Sequence, residues 1–200
     1  MKTLILSFFA VASLQAAPLP LFDGKSIEGW RIQDAPFWTV KEGVLTGESI
    51  ATAEGFKKGS ILWTTKEFKD FTFETEFRFV SKNLTNERVD SGVFLRNPND
   101  QIQIGISGSL KRDLTGSPYV ASKKGYPVEA EGVAAILKEG DWNKMKIVAK
   151  GPVYTVEING KKVLEYTSTT ASEKGPLGLQ VHPGTVMKVD YRKMMIEELQ

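Results

Sequence analysis

The stretch Phe71-Thr72-Phe73-Glu74-Thr75-Glu76-Phe77-Arg78-Phe79 alternates phenylalanine with mostly polar side chains. A period of two residues is typical of a β-strand with one buried face, whereas an amphipathic helix repeats every 3.6 residues. The phenylalanine face is expected to pack in the core, and Glu74, Glu76 and Arg78 are expected to project from the other face. The stretch therefore predicts a strand at the surface of a sheet.

Further strands are predicted on both sides of this stretch. Val153 to Ile158 and Lys161 to Tyr166 flank Asn159-Gly160, a pair that suits the two positive φ angles of a type I′ hairpin turn. The other candidates are Trp38-Thr39-Val40, Gly43-Val44-Leu45, Val93 to Arg96, Ile102 to Ile106, Trp142 to Ala149, Leu177 to Val181 and Val186 to Met195. About a dozen short strands predict an all-β sandwich of two antiparallel sheets.

The organisation of the chain is that of one domain, predicted over residues 18–200. With 200 residues and 41% hydrophobic content, the chain is long enough for a large core. Helical character is limited to Val133 to Leu137. The segment from Ser107 to Gly132 is rich in Gly, Ser, Lys and Pro, and loops of this length are usually functional or mobile. It is a candidate lid, with a surface insertion as the alternative.

Residues 1–17 resemble a secretory leader. Met1-Lys2 is followed by the apolar run Leu4 to Leu14 and the small residues Ala16 and Ala17. That run is shorter than the roughly 20 residues that span a bilayer. The sequence therefore predicts an exported protein, periplasmic or extracellular, without a membrane span.

Composition excludes several classes of function. The chain has no cysteine, so disulfides, thiolate metal sites and cysteine nucleophiles are ruled out. A formal charge of +2 lacks the basic excess of a nucleic-acid binder. One histidine cannot form a two-histidine zinc motif, and Gly-x-Ser-x-Gly and phosphate-binding loop motifs are absent.

The alternation of the central strands directs polar side chains away from the core. If Val93 and Leu95 point inward, then Phe94 and Arg96 point outward. The same reasoning places Gln101 and Gln103 outward on the next strand, and Gln180 and His182 outward on a later one. Amides, carboxylates and guanidinium groups bind sugar hydroxyls, and an aromatic ring covers the apolar face of a pyranose. Such a surface is suited to carbohydrate.

Short phrases in fixed order resemble the 3-keto-disaccharide hydrolase domain family over roughly residues 20 to 199. They are Leu21-Phe22-Asp23-Gly24-Lys25, Asp90-Ser91-Gly92-Val93-Phe94-Leu95-Arg96, Gln101-Ile102-Gln103-Ile104, Trp142-Asn143, Gly178-Leu179-Gln180-Val181-His182 and Ile196-Glu197-Glu198-Leu199. The resemblance implies a concanavalin A-like jelly-roll sandwich. It also implies a sugar or glycoside substrate that a sugar 3-dehydrogenase has already oxidised at C3.

The activity implied is cleavage of the glycosidic bond in 3-keto-glycosides. A ketone at C3 acidifies the C2 proton, so a base can remove it and the aglycone can leave from C1, after which water adds. A carboxylate, Glu74 or Glu76, or else His182 is expected to act as base or acid, and Arg96 is the expected partner of the keto oxygen. The expected substrate-binding residues are Phe94, Gln101, Gln103, Tyr119, Lys124 and Gln180.

Four alternatives remain open at this point. Glu74, Glu76 and Arg78 also fit a solvated sheet face with cross-strand ion pairs, and Arg96 fits a structural ion pair with Asp90 or Asp100. A conventional two-carboxylate glycosidase would use Glu74 and Glu76, which are roughly 7 Å apart along a strand.

The last alternative is a lectin-like module that binds sugar without catalysis. The family that this chain resembles commonly carries Glu at Gln101 or a neighbouring position, and an amide cannot act as a base. No cofactor is predicted, and a divalent metal ion is left open.

Overall fold

The computed structural model describes residues 17–49, 57–83 and 86–200. Its strands, in chain order, are β1 Leu19–Pro20, β2 Trp30–Asp34, β3 Trp38–Lys41, β4 Val44–Glu48, β5 Ser60–Phe68, β6 Phe71–Phe79, β7 Asp90–Leu95, β8 Asp100–Gly105, β9 Pro118–Val120, β10 Asn143–Lys150, β11 Val153–Ile158, β12 Lys161–Thr167, β13 Gly175–Val181 and β14 Lys188–Glu198. Short 3₁₀ helices cover Ala121–Lys123 and Val133–Ala135. Apart from Ala17, the predicted leader lies outside the described residues.

The strands form two antiparallel sheets. The eight-stranded sheet has the order β12-β11-β10-β6-β14-β4-β3, and β1 pairs with β14. The six-stranded sheet has the order β2-β5-β13-β7-β8-β9. The all-β sandwich of concanavalin A-like type that the sequence predicts is confirmed. In the described ranges, no helix has the length and apolar content needed to cross a bilayer.

The core lies between the facing sides of the two sheets. Phe71, Phe73 and Phe77 of β6 are fully buried, as the alternation predicts. The opposite sheet contributes buried residues from its three central strands: Val93, Leu95, Ile102, Ile104, Leu177, Leu179 and Val181. Burial of each large apolar side chain contributes about 1.5–3 kcal/mol, so this interface stabilises the sandwich.

The predicted hairpin is confirmed. β11 and β12 pair in antiparallel fashion, and both Asn159 (φ 50°) and Gly160 (φ 79°) have the positive φ that a type I′ turn requires. Asn159 is held in place because its side-chain amide donates to the carbonyl oxygen of Ile136 over 2.8 Å.

Some local expectations were incomplete. The predicted helix at Val133 to Leu137 is a single 3₁₀ turn, and the segment from Ser107 to Gly132 contains β9 and a second 3₁₀ turn. β2 and β5 were not predicted, because their polar and apolar residues do not alternate cleanly.

The two ends of the described chain lie side by side. Leu19 pairs with Ile196 and Pro20 pairs with Met195, so β1 runs antiparallel along the last strand. This pairing places the start and the end of the domain side by side, on an interior strand of the eight-stranded sheet.

Candidate functional site

A cleft of ≈ 650 Å³ lies on the outward face of the six-stranded sheet. It is lined by Arg88, Asp90, Phe94, Pro98, Gln101, Gln103, Ser107, Gly108, Ser109, Tyr119, Ala121, Tyr126, Gln180, His182, Pro183 and Gly184. Six residues that the sequence analysis selected are therefore brought together: Phe94, Gln101, Gln103, Tyr119, Gln180 and His182.

Strand alternation explains why these side chains share the cleft. β13, β7 and β8 are neighbours in the sheet, and their inward residues fill the core. The intervening residues must then point to the opposite face. Gln101 and Gln103 are nevertheless buried, and their side-chain amides donate to Gln180 and Asp90 respectively.

The floor of the cleft is aromatic. Phe94 packs against Trp63 with ring centroids 5.4 Å apart, and both are buried outside the main core cluster. Trp63 lies over Gly178, where an added Cβ would come within 2.6 Å of its ring. The Trp63 indole donates to the side-chain oxygen of Gln33 over 2.8 Å, which fixes the ring behind Phe94.

An amide bridge crosses the cleft. The Gln101 amide donates to the side-chain oxygen of Gln180 over 2.7 Å. Primary amides both donate and accept hydrogen bonds, which suits an array of sugar hydroxyls. The arrangement therefore provides a rigid polar surface beside the aromatic floor.

A buried ion pair closes one end of the cleft. An oxygen of Asp90 lies 3.5 Å from Nη2 of Arg88, and both side chains are 7% exposed. The Asp90 carboxylate also accepts from Nε2 of Gln103 over 2.9 Å and from the Gly108 backbone amide over 2.9 Å. These donors compensate its charge and fix the position of Gln103.

His182 stands at the rim, directly after β13. Its Nδ1 lies 2.5 Å from the carbonyl oxygen of Pro183. A carbonyl oxygen only accepts, so Nδ1 must carry the proton and donate it in this hydrogen bond. In the neutral imidazole, this contact leaves the lone pair on Nε2. The neutral ring is thereby held in the tautomer whose Nε2 can accept a proton.

Two tyrosines also line the cleft. Tyr119 and Tyr126 meet edge to face, with ring centroids 5.2 Å apart. Burial raises the pKa of Tyr126, and its hydrogen bond with Ser107 only partly offsets that effect. A tyrosine hydroxyl is protonated at neutral pH even with its ordinary pKa of 10.0, so the Tyr126 hydroxyl can donate a hydrogen bond there.

Glu74 and Glu76 lie on the outward face of the other sheet, on β6. Glu74 forms an ion pair with Lys144 at 2.6 Å, and Glu76 forms ion pairs with Arg192 at 2.6 Å and Lys193 at 2.8 Å. The idea that they share a surface with His182 and the glutamines is wrong. Alternation predicts the face of a strand but not the sheet to which it belongs.

Arg96 also lies outside the cleft. Its φ of 66° breaks the alternation at the end of β7, so the side chain turns away from the outward face. The buried guanidinium donates to the carbonyl oxygens of Lys69 (2.9 Å), Gly151 (2.5 Å) and Glu173 (3.5 Å), and it lies 3.7 Å from Asp70. Its contacts are therefore those of a structural residue.

The other predicted residues also lie partly inside and partly outside the cleft. Neither Asp90 nor Asp100 is the ion-pair partner of Arg96, because Asp90 pairs with Arg88 and Asp100 accepts from the hydroxyls of Tyr154 and Ser168. Lys124 is exposed after the 3₁₀ turn and does not line the cleft, whereas Tyr119 of the same segment does.

Sequence reasoning missed Arg88, Asp90 and Tyr126 as lining residues. Extending the alternation of β7 backwards, with Val89 in the core, would have placed Arg88 and Asp90 outward beside Phe94. Tyr126 lies in the irregular segment after β9, where no periodicity indicates which way a side chain points.

The donor groups of the cleft do not form a metal cage. Across the described ranges, no group of three or more His, Cys, Asp or Glu side chains is placed to hold a metal ion. Hard cations require several carboxylate or carbonyl oxygens at once, and here the Arg88 guanidinium is already beside the Asp90 carboxylate. The residues present therefore do not fit a divalent ion.

Solved structures share this fold. A putative glycosyl hydrolase from Parabacteroides distasonis ATCC 8503 is 19% identical with a TM-score of 0.67, over 92% of this chain and 94% of that one. A second from the same organism is 22% identical with a TM-score of 0.66, over 92% and 100%. A Bauhinia forficata lectin, solved in complex with GalNAc, is 10% identical with a TM-score of 0.62, over 91% and 97%. These likenesses show the fold.

No curated protein sequence matches the chain. The model of the 3-keto-alpha-glucoside-1,2-lyase-like domain matches residues 18–197, which is nearly the whole chain. This match supports a carbohydrate-active function. The chain belongs to the 3-keto-alpha-glucoside-1,2-lyase-like domain family.

Proposed function

We propose that this protein cleaves the glycosidic bond of 3-keto-glycosides in the cleft of the six-stranded sheet, by base-assisted elimination followed by hydration. Family membership supports a carbohydrate substrate. The aromatic floor and the bridged amides supply the groups that bind a pyranose.

One observation carries the choice of mechanism. Among the described residues that line the cleft, Asp90 is the sole carboxylate, and His182 lies at the rim with Nδ1 against the carbonyl oxygen of Pro183, which leaves Nε2 without that contact. A conventional glycosidase requires two carboxyl groups across the scissile bond. Elimination next to a ketone requires one base, which His182 supplies.

The proposed reaction begins with proton transfer from C2 to Nε2 of His182. The C2 electron pair is delocalised into the C3 carbonyl, giving an enolate. The enolate electrons then form the C1–C2 double bond as the C1–O bond breaks, and the C3 ketone is restored. The departing aglycone oxygen takes the proton from the His182 imidazolium. Water finally adds across C1 and C2 to give the free 3-keto-sugar.

The other cleft residues hold the substrate for this sequence. Phe94 contacts the apolar face of the ring, and Gln101, Gln103 and Gln180 bind hydroxyls. Tyr126 donates a hydrogen bond from its hydroxyl, which is protonated at neutral pH. His182 lines the same cleft as these binding residues.

The test is release of 4-nitrophenol from 4-nitrophenyl 3-keto-glucoside and from its unoxidised parent. Release from the keto compound alone, with kcat reduced by about 10²–10⁴-fold in His182→Gln, is the expected result. Glu157→Gln, on the outward face of the other sheet, is the matched control. Absence of release from both compounds, with retained sugar binding, would instead support a lectin-like module.

Export and the upstream partner belong to the same proposal. The leader-like residues 1–17 support a periplasmic or extracellular location, and a 3-keto substrate requires prior oxidation by a sugar 3-dehydrogenase. N-terminal sequencing of protein recovered from the periplasm should show a start near Ala17 or Pro18. Recovery of intact Met1 from the cytoplasm would contradict export.

A further inference from the structure

Arg88 has more hydrogen-bond donors than the protein uses. Its side chain is 7% exposed, and it lines the cleft. A guanidinium carries five N–H donors. Within the part of the chain that the structure describes, its side chain makes one hydrogen bond, from Nη2 to Asp90 at 3.5 Å, and its Nε has no partner.

The Asp90 carboxylate, in contrast, is well supplied with donors. Gln103 and the Gly108 backbone amide each donate to it over 2.9 Å, which is shorter than its contact with Arg88. Buried polar groups in folded proteins are nearly always hydrogen-bonded, and an unsatisfied one requires an explanation. The pairing leaves the guanidinium, and not the carboxylate, as the group that needs another partner.

The position of the guanidinium is fixed by its surroundings. An added Cβ at Gly108 would lie 2.6 Å from Nη2 of Arg88 and 2.9 Å from Asp90, so the backbone passes close beside the ion pair. A donor group held in place before the ligand arrives loses little conformational freedom when it binds. The spare donors of Arg88 are therefore preorganised.

The donors that Arg88 does not use toward Asp90 suit a carbonyl oxygen. A guanidinium N–H donates to a neutral carbonyl oxygen, and the hydrogen bond becomes stronger as that oxygen gains negative charge. A carbonyl that gains negative charge during the reaction would be stabilised most in the transition state, which is where binding energy accelerates a reaction.

We propose that Arg88 is the catalytic residue that binds the C3 keto oxygen and stabilises the enolate formed from it. The sequence analysis gave this role to Arg96, whose guanidinium is instead occupied by backbone carbonyls. Asp90 acts as a positioning residue that orients Arg88. The inference rests on the proposed function and names the electrophile of that site.

The experiment compares wild type, Arg88→Gln, Arg88→Lys and the control Arg78→Gln, an arginine on the other sheet. Release from 4-nitrophenyl 3-keto-glucoside and the dissociation constants of 3-keto-glucose and glucose are measured. Arg88→Gln should lower kcat by about 10²–10³-fold and abolish the preference for 3-keto-glucose while retaining glucose binding. A kcat within threefold of wild type and an unchanged preference would overturn the assignment.

Arg88→Lys keeps a cation beside Asp90 and is the variant that decides the question if Arg88→Gln does not fold. A kcat at least about tenfold below wild type at an unchanged melting temperature supports the role, because Lys lacks the planar fork. Wild-type kcat overturns it. If wild type releases no aglycone, the proposed function fails. The Arg88 assignment is then decided by binding: a keto preference lost in the variant supports it, and no preference in wild type overturns it.

Discussion

Gln101 and Gln180 hydrogen-bond to each other over a strand that separates them. Gln101 is on β8 and Gln180 is on β13, with β7 between. The bridge passes above Gly92, where an added Cβ would lie 2.1 Å from the Gln101 amide nitrogen and 2.6 Å from the carbonyl oxygen of Ile102. Only glycine leaves room at this position.

Gly92→Ala is therefore expected to break the amide bridge. Overpacking of this kind costs about 1–3 kcal/mol, and the displaced Gln101 should also weaken sugar binding. Urea unfolding and titration with 3-keto-glucose measure the two effects. The control is Gly125→Ala, where the nearest atom is 3.8 Å from an added Cβ. Wild-type stability and affinity in Gly92→Ala would contradict the described packing.

Arg96→Met should destabilise the fold. The guanidinium joins the backbones of Lys69, Gly151 and Glu173, and removing one partner of a buried charged network typically costs about 3–5 kcal/mol. The unfolding free energy in urea measures this loss.

The control for Arg96→Met is Arg112→Met, which removes an exposed ion pair with Glu129 and should cost less than about 1 kcal/mol. Equal losses in the two variants would show that Arg96 is not a structural anchor.

Glu74→Gln tests whether the carboxylate expected from the sequence takes part in the reaction. Glu74 pairs with Lys144 on the sheet that does not carry the cleft, so kcat/KM for the keto-glycoside should stay within about twofold of wild type. The measurement is the same release assay. A decrease in kcat/KM of a hundredfold or more would indicate that the reaction takes place on the eight-stranded sheet.

Glu76 predicts a pH dependence of stability. Burial alone would raise its pKa, but hydrogen bonds from Lys193 and Arg192 outweigh burial, and the pKa is lowered below its ordinary value of 4.5. The stabilisation is therefore present above pH 4.5 and is lost as the pH falls through the folded pKa.

Melting temperatures of wild type and Glu76→Gln, recorded from pH 7 downward, should converge in acid. A difference that persists or grows as the pH falls would refute this coupling.

Six of the sixteen residues that line the cleft could be predicted from the sequence, because most of these six lie on regular strands. Phe94, Gln103 and Gln180 point outward by alternation alone, and that alternation is set by the buried residues on either side. Arg96 does not follow this alternation, because its own backbone has a positive φ, which changes the direction of its side chain. A local pattern does not reveal a positive φ at a non-glycine position.

Sheet membership could not be read from the sequence. β6 shows the clearest alternation in the chain, yet its polar face and the cleft lie on opposite sides of the sandwich. Strand order depends on contacts between distant residues. The ion pairs of Glu74 and Glu76 agree with the alternative interpretation, in which these residues lie on a solvated sheet face with cross-strand ion pairs.

The pairing of Leu19 with Ile196 makes the domain a candidate for circular permutation. Adjacent chain ends allow a short linker to join them without crossing the sandwich. New ends could then be opened at Asn159-Gly160, a tight turn between β11 and β12 on the sheet that does not carry the cleft. A protein rearranged in this way would keep every strand of the cleft uninterrupted and could be tethered from the opposite side.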